Sequence, residues 1–570
     1  MKLYKIASFC MVGLLSVGAV SCSNPDDEIK SLSFSRNFAP LGTEASGVKE
    51  TTAIIEWDLS AGATSYTLEA FADDSLTFAG TPEKTITGLT ADDIPYTLTG
   101  LQFDTKYSIR IQAVTEGNEA RTSNWASVFF RTSPKQFLKN PKPAQIADRS
   151  VTLTWEPEDG YDVTDIVIGN ITHKITEEEK IAGEATVEGL TPETSYTAYL
   201  YYNGKQCGNR DFTTIADLEG AILVHEDDDL KKLLENEELP DNAVIALYGG
   251  VYKLNVNDEG KTGAAKIYKN VTIKGIYPTD QPVIKGRFEI YDGAALSISQ
   301  CTINGSDNAT TDQMFNYKLD AAAAGTTFGA LDVQNCTITG RSDCKGLFYL
   351  NVQAIVESVN FNNCVIFGIE CSGGDFIDSR AGLPRQINLT NSTFYTVAMA
   401  RDFIRIDDKA SNFPGLDGPQ VTIDHCTLYN VGGYGQGNTQ ANYRLLYVRF
   451  AGNKLTFTNN LVAGTVYKRG FTNQSASDAN PTLNNNAYFG CENLTKPGLS
   501  ADNSILWFDT DSSEYDKTAE DGTVTVRGKG NGSAIELTAS PFSGKVPESF
   551  TLNPDGAAFK AGCGDPRWLK

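Results

Sequence analysis

Apolar residues in the C-terminal two-thirds of the chain fall into short alternating runs, each introduced by a polar turn phrase that returns at near-regular intervals. The phrases are Ser299-Gln300-Cys301-Thr302-Ile303, Gln334-Asn335-Cys336-Thr337-Ile338, Asn362-Asn363-Cys364-Val365-Ile366, Thr390-Asn391-Ser392-Thr393-Phe394, Asp424-His425-Cys426-Thr427-Leu428 and Thr458-Asn459-Asn460-Leu461-Val462. Their anchors are separated by 35, 28, 28, 34 and 34 residues, and a weaker echo at Asn485-Asn486-Ala487-Tyr488 follows after 26. A period in this range marks a repeat array, and such short alternating units bury their apolar faces only by stacking. The intervals fit one turn of a parallel β-helix, and the pattern predicts about seven turns. Cys301, Cys336, Cys364 and Cys426 hold equivalent places on successive turns, where a small apolar side chain fits an interior ladder. The alternative, disulfide pairing, lacks a tight spacing framework, and no Cys-x-x-Cys metal spacing occurs.

Ahead of the array the alternation has a period of two without a long repeat. Ile54-Ile55-Glu56-Trp57, Tyr66-Thr67-Leu68-Glu69 and Tyr107-Ser108-Ile109-Arg110-Ile111 predict strands of a sandwich over residues 39–134. Leu101-Gln102-Phe103-Asp104-Thr105-Lys106-Tyr107 resembles the Leu-to-Tyr corner of fibronectin type III domains, with Trp57 as the core tryptophan. Val151-Thr152-Leu153-Thr154-Trp155 and Leu190-Thr191-Pro192-Glu193-Thr194-Ser195-Tyr196 repeat that pair over 135–215. These aromatics are expected in the cores, and the two modules are expected to be spacers. Residues 225–238 read as an amphipathic capping helix, with Asp227, Asp228 and Asp229 at its start. Asn242-Ala243-Val244-Ile245-Ala246-Leu247-Tyr248-Gly249-Gly250-Val251-Tyr252 and Val271-Thr272-Ile273-Lys274-Gly275 are similar to the first turns of pectin-lyase-like β-helices, including chondroitinase-type lyases. That resemblance covers 216–490; residues 491–570 lose the period, and Gly562-Cys563-Gly564-Asp565-Pro566-Arg567-Trp568 reads as part of a terminal cap. The expected fold is all-β: two fibronectin type III-like sandwiches, then a right-handed parallel β-helix with a C-terminal cap.

The first 21 residues, with Lys2, Lys5 and an apolar run from Ile6 to Val20, read as a secretory signal too short to span as a mature helix. Val20-Ser21-Cys22 resembles a bacterial lipoprotein signal in which Cys22 is lipidated. The following acidic linker, residues 22–38, opens with Ser23-Asn24-Pro25-Asp26-Asp27-Glu28, similar to the surface-export tag of Bacteroidota lipoproteins, or else simply a solvated spacer. The expected location is the outer membrane and cell surface, held by lipid alone. A net charge of −23 argues against an overall nucleic-acid binder, whose phosphate contacts need Lys and Arg in excess.

The second strand of each repeat carries charge. Aligning Phe348-Tyr349-Leu350-Asn351, Phe376-Ile377-Asp378-Ser379-Arg380, Phe403-Ile404-Arg405-Ile406-Asp407-Asp408-Lys409 and Leu446-Tyr447-Val448-Arg449 sets Asp378 beside Arg405 and Arg380 beside Asp407. Side chains alternate along a strand, so Asp378, Arg380, Arg405, Asp407 and Lys409 are expected to share one face, as a checkerboard on rungs ~4.8 Å apart. One reading is cross-strand ion pairing on a solvated sheet, worth roughly 0.2–1 kcal/mol per pair. The other is a groove that holds an acidic glycan, with Asp378, Asp407, Arg449 and a loop tyrosine, Tyr434, as binding residues. The lyase resemblance is positional only; it implies a base among Arg405, Lys409 and Arg380, and an electrophile, with calcium on Asp378 and Asp407 as the metal candidate. Residues 371–470 hold ten Arg and Lys against seven Asp and Glu, a basic island suited to an anionic polymer. His425 is expected to be a satisfied turn residue. The functional expectation is a surface lipoprotein capturing a pectin- or glycosaminoglycan-like polysaccharide for an uptake system that includes an outer-membrane transporter. The alternatives are an active polysaccharide lyase and an adhesin.

Overall fold

The structure is a computed structural model of the chain and describes residues 36–117, 121–158, 160–399, 401–432, 443–465, 467, 471–473, 481–495, 505–509, 514–518, 524–530, 532 and 534–570. Cys22 and Tyr434 lie outside the described residues. One compact unit comprises the described part of Met1–Pro141 with Thr152–Thr186 and Tyr196–Phe212; the other comprises Lys142–Val151, Val187–Ser195 and Thr213–Lys570.

The alternating N-terminal segments form antiparallel sheets. Glu44–Ser46, Thr52–Glu56 and Tyr96–Thr99 make one, and Lys84–Leu89, Ser65–Ala72, Lys106–Val114 and Ala126–Arg131 the other. Trp57 is buried against Tyr66, with ring centroids 5.5 Å apart. The buried Tyr107 hydroxyl accepts the Gln102 N–H at 3.0 Å, closing the corner that its spacing from Leu101 suggested. A second antiparallel set follows: Ile171–Lys174, Asp165–Ile168, Ser195–Tyr202 and Lys205–Thr213 in one sheet, Ser150–Thr154 with Glu184–Glu188 in another, and Trp155 buried.

From Ile222 onward the chain builds three long sheets by parallel stacking. Two contain ten strands each, running from Ile222–Val224 to Thr482–Asn484 and from Val251–Lys253 to Ile535–Leu537. The third has eleven, with Ala264–Ile267 through Phe471–Asn473 all parallel. This is a β-helix-like array longer than the repeat count suggests, because rungs before Cys301 lack the turn phrase yet keep the register, and Ile535–Leu537 adds one more parallel strand to the second sheet. Each phrase turns between the first and second sheets on one left-handed residue: Gln300, Asn335, Asn363, Asn391, His425, Asn459 and Asn485 all have φ between 50° and 57°. Asparagine tolerates that conformation best among residues with a Cβ, which explains its recurrence.

The next residue points inward. Cys301, Cys336, Cys364, Ser392, Cys426, Asn460 and Asn486 are all buried. Where the ladder turns polar its groups satisfy one another: Cys364 N–H donates to Ser392 Oγ at 3.0 Å and Cys426 N–H to Asn460 Oδ1 at 2.8 Å. All nine cysteines among the described residues are free and buried, and Cys301, Cys336, Cys364 and Cys426 are so as the packing ladder requires. His425 Nδ1 lies 2.7 Å from Asp424 Oδ2, within a polar turn that also binds Thr458 and Asn459.

Two sequence expectations change here. The helix expected over 225–238 is only Leu230–Leu234, capped by Asp229, which accepts the Lys232 N–H at 3.0 Å. Pro240 and the return to a strand at Ala243 leave room for little more. The last thirty residues, expected as part of a cap over 491–570, pack on Ile535–Leu537, the last strand of the array's second sheet, and continue past it. They run back along its second sheet as a strap: Asp565 is buried between Thr427, whose Oγ1 accepts its N–H at 3.0 Å, and Thr393, whose hydroxyl donates to it at 2.7 Å. Trp568 Nε1 donates to Thr393 Oγ1 at 2.8 Å, and Phe550 packs on Tyr395 and Tyr429. Replacing Cys364 by Asp places a carboxyl in the stacked interior, where Cys364 is fully buried. It is expected to destabilise this unit on the order of several kcal/mol, read as a lowered midpoint in chemical denaturation.

Candidate functional site

The outward face of the third sheet carries the charge pattern. Tyr349, Asp378, Arg405 and Tyr447 pair in register on successive strands, Phe348–Leu350, Ile377–Ser379, Ile404–Ile406 and Leu446–Val448. Past the strand ends the ladder continues, with Asp407 N–H donating to Ser379 O at 2.9 Å and Arg449 N–H to Ile406 O at 2.8 Å. Arg380, Asp407 and Arg449 therefore form a second row two residues on. Before the strands lie Asp375, Asp402 and Arg444, also on consecutive rungs.

These three rows close into one network. Arg380 binds Asp378 through Nε and Asp375 Oδ2 through Nη2 at 2.5 Å, and its Nη1 lies 3.9 Å from Asp407. Arg405 Nε donates to Asp407 Oδ1 at 2.9 Å, and its Nη1 is 3.8 Å from Asp375. Arg449 Nη2 reaches the same Asp407 oxygen at 2.7 Å, and Arg444 Nη1 stands 3.7 Å from Asp402. The backbone is tied in: Asp402 N–H donates to Asp375 Oδ1 at 2.9 Å, and Arg444 N–H to Asp402 Oδ1 at 2.6 Å. Tyr447 lies under three guanidinium groups, Arg444 at 3.6 Å, Arg449 at 5.2 Å and Arg405 at 5.3 Å from its ring centre.

Burial separates the two kinds of charge. The carboxylates of Asp375, Asp378 and Asp402 are 3 %, 3 % and 2 % exposed, whereas Arg380, Arg405 and Arg449 keep 29 %, 25 % and 31 % of their side chains in solvent. The face shown outward is a set of guanidinium edges clamped from below. Four Asp meet four Arg, so the cluster itself is balanced. The local excess noted in the sequence is carried elsewhere, for example by Arg385, 3.7 Å from Glu357 on another part of the rung, and by Arg401, 5.7 Å from the Tyr443 ring. The checkerboard is thus an interlocked and partly buried network, and its strongest contacts run within a strand as well as across strands.

Burial pushes the Asp402 carboxyl up to about 7, with the charge of Asp375 adding to the rise against Arg444 and Arg405. Burial likewise raises Asp378 to about 6, although its bond to Arg380 pulls the other way. Asp407 shows the opposite balance: burial resists its ionisation, but bonds from Arg405 and Arg449 outweigh that and hold it below the ordinary carboxylate range.

Lys409 does not join the network. The strand ends at Ile406, and Lys409 starts the single turn Ala410–Asn412, so alternation no longer sets its direction. A calcium ion at Asp378 and Asp407 would have to compete with guanidinium groups, since Arg380 binds Asp378 Oδ1 and both Arg405 and Arg449 bind Asp407 Oδ1. Among the described residues no group of three or more His, Cys, Asp or Glu side chains is arranged to hold a metal ion. The sequence reading overlooked Asp375, Asp402, Arg444 and Tyr447 as site residues; the signal for the first three was a charged residue three positions before each aligned strand residue, and Tyr447 stood in the alignment itself.

The same face continues toward the start of the array. Lys266, Glu289 and Asn316 extend the first row by register, and Tyr291 and Lys318 the second. Tyr268 stacks on Tyr291 with centroids 4.6 Å apart and is 44 % exposed. From Lys266 to Tyr447 the face spans six rung steps, roughly 29 Å at ~4.8 Å each.

Comparison with known proteins adds two family matches. A model of a domain of unknown function, DUF4957, matches residues 250–397, and the fibronectin type III domain model matches residues 38–129. The former includes Asp375, Asp378 and Arg380 and ends before Asp402 and Arg405. Among solved structures, a two-domain fibronectin type III segment of chicken tenascin is 18 % identical, covering 31 % of this chain and 97 % of its own length, with a TM-score of 0.22. The central fibronectin III array of RIM-binding protein is also 18 % identical, over 32 % of this chain and 63 % of its own, with a TM-score of 0.14.

The two raised carboxyls make stability depend on pH with a definite sign. Both hold protons more tightly folded than unfolded, where an aspartate titrates near ~4. Their contribution is greatest below that value and is lost as pH rises through about 6 and about 7. Asp402→Asn is expected to gain on the wild type by a few kcal/mol, roughly, between pH 5 and pH 8 in denaturant melts. A constant difference between the two proteins across that range would contradict the assignment.

Proposed function

We propose that the chain is a lipid-anchored cell-surface protein of the outer membrane that captures an acidic polysaccharide, pectin- or glycosaminoglycan-like, along the outward face of the third sheet. One observation carries this reading: guanidinium edges on successive rungs stay open to solvent while buried aspartates fix their positions. Ordered arginines lose little side-chain entropy when a uronate carboxylate docks, and guanidinium matches a carboxylate in bidentate geometry. The axial run of the face, with the Tyr268–Tyr291 stack and Lys318 at its other end, suits an extended chain. In this proposal the array is a right-handed β-helix of the pectin-lyase type, and both sandwiches are fibronectin type III modules serving as spacers. Cys22 carries the lipid, Asp26, Asp27 and Glu28 direct surface display, and an outer-membrane transporter receives the glycan.

Capture is favoured over β-elimination by the state of the arginines. Burial works against the charges of Arg380 and Arg405, but bonds to Asp378 and Asp407 outweigh it and hold both above the ordinary range. A base that removes the proton beside a uronate needs the opposite shift.

Binding of polygalacturonate to the purified mature protein tests the proposal. Arg449→Ala and Arg405→Ala are each expected to weaken it on the order of tenfold, the equivalent of one charge-assisted hydrogen bond. The loss should shrink with added salt, since exposed charges are screened over ~8 Å at physiological ionic strength. Wild-type affinity in both variants would place the binding surface elsewhere. Unsaturated products in the same incubations, lost in Arg405→Ala, would replace capture by lyase activity. Anchoring is tested separately: Cys22→Ala is expected to move the protein from the membrane fraction to the soluble one.

A further inference from the structure

We propose that the arginine–aspartate cluster is a proton-linked anion switch, in which an acidic glycan binds the form whose buried carboxyls Asp378 and Asp402 carry protons. The inference rests on the capture reading and adds its regulation.

The geometry leads there before any titration is considered. Asp375 is tied to both: its own N–H is 3.5 Å from Asp378 Oδ2, its Oδ1 accepts the N–H of Asp402 at 2.9 Å, and Arg380 and Arg405 both reach its Oδ2 side. The Asp375 charge, nearly out of solvent, repels that of Asp378 and that of Asp402, and such clusters relieve the repulsion by keeping protons. Fully ionised, four carboxylates balance four guanidiniums, and a uronate must compete with the internal aspartates. With two protons bound the cluster carries a net charge of about +2, and the exposed edges of Arg380 and Arg405 face fewer internal anions. A docked uronate carboxylate then supplies the missing negative charge, so each binding event favours proton uptake from solvent.

The neighbours leave the aspartates as the groups that change charge near neutrality. Asp378 faces Arg380 and Asp375 on its own segment, Tyr349 on the preceding rung and Arg405 on the following one, with Asp407 reached through Arg380. Asp402 faces Asp375, Arg405, Arg444 and, from a later turn, Tyr467. Burial raises the Tyr467 hydroxyl and the nearby Cys371 thiol far above neutrality, so both stay protonated. The chain's three histidines are engaged elsewhere: His173 with Glu179, His225 stacked on Tyr248 and His425 with Asp424. A uronate, a carboxylic acid of ordinary strength, stays ionised throughout pH 5–8. The raised values of Asp378 and Asp402 fall inside this window.

The test is calorimetric titration of the mature protein with polygalacturonate oligosaccharides between pH 5 and 8 at fixed ionic strength. Affinity is expected to be on the order of tenfold tighter at pH 5.5 than at pH 7.5, with proton uptake evident from buffers of different ionisation enthalpy. The double variant Asp378→Asn, Asp402→Asn, which mimics the protonated pair, should bind at the tight level across the range. Should it fail to fold, infrared spectroscopy of the unliganded wild type reads the carboxyls directly: a protonated buried carbonyl band that disappears between pH 5 and 8 supports the switch. Affinity independent of pH without proton uptake, or carboxyls ionised throughout, overturns the switch and leaves capture standing. Absence of binding at every pH overturns the capture reading itself.

Discussion

No rung of this array can bury its own apolar residues, so the register of each strand on the next governs the rest of the molecule. Parallel in-register pairing places equivalent side chains directly above one another at ~4.8 Å. Inward, that condition selects a cysteine, serine or asparagine after every left-handed turn, and a phenylalanine stack such as Phe376 on Phe403, centroids 5.1 Å apart. Outward, it brings charged residues on neighbouring rungs to hydrogen-bond distance whether or not attraction alone would have done so. A slip of one residue would turn the Asp378–Arg405 row into the core, where its charges would lack both water and their present partners.

The ion network is built on that scaffold and is unlike an exposed ladder of salt bridges. Asp375 and Asp402 each accept a backbone N–H from the following rung, so they close the strand ends while holding arginines. Guanidinium contacts and these N–H donors offset only part of the desolvation of Asp378 and Asp402, so both carboxyls keep raised proton affinities. One consequence is order in the arginines at the surface, which suits recognition of a planar anion. Another is sensitivity to protonation, because neutralising a buried carboxyl changes what the exposed guanidinium groups face.

Much of the architecture could be read along the chain. The Asn-Cys phrase carried both the left-handed turn and the interior ladder, and the Leu101-to-Tyr107 spacing carried the tyrosine corner. The alignment of the charged strands anticipated the pairing of Asp378 with Arg405 and the approach of Arg380 to Asp407. Lys409 failed because alternation holds only while the strand lasts, and this one ends at Ile406. Asp375, Asp402 and Arg444 escaped notice because they precede the strands, where no periodicity marks direction. The helix over 225–238 shortened to Leu230–Leu234, with Asp229 as its cap and Pro240 and the strand from Ala243 following closely.

By itself the sequence determined the parallel stacking, the turn between the first two sheets and the face on which charge would gather, since all three follow from local periodicity and from residues that tolerate a left-handed backbone. Only the tertiary structure decided which charges are buried and which remain open, that the final residues lie along the second sheet as a strap, and that the excess of the basic island lies outside a balanced cluster. Those outcomes depend on contacts between residues tens to nearly two hundred positions apart, such as Asp402 with Arg444 and Thr393 with Asp565, and no local pattern encodes the solvent that each one excludes.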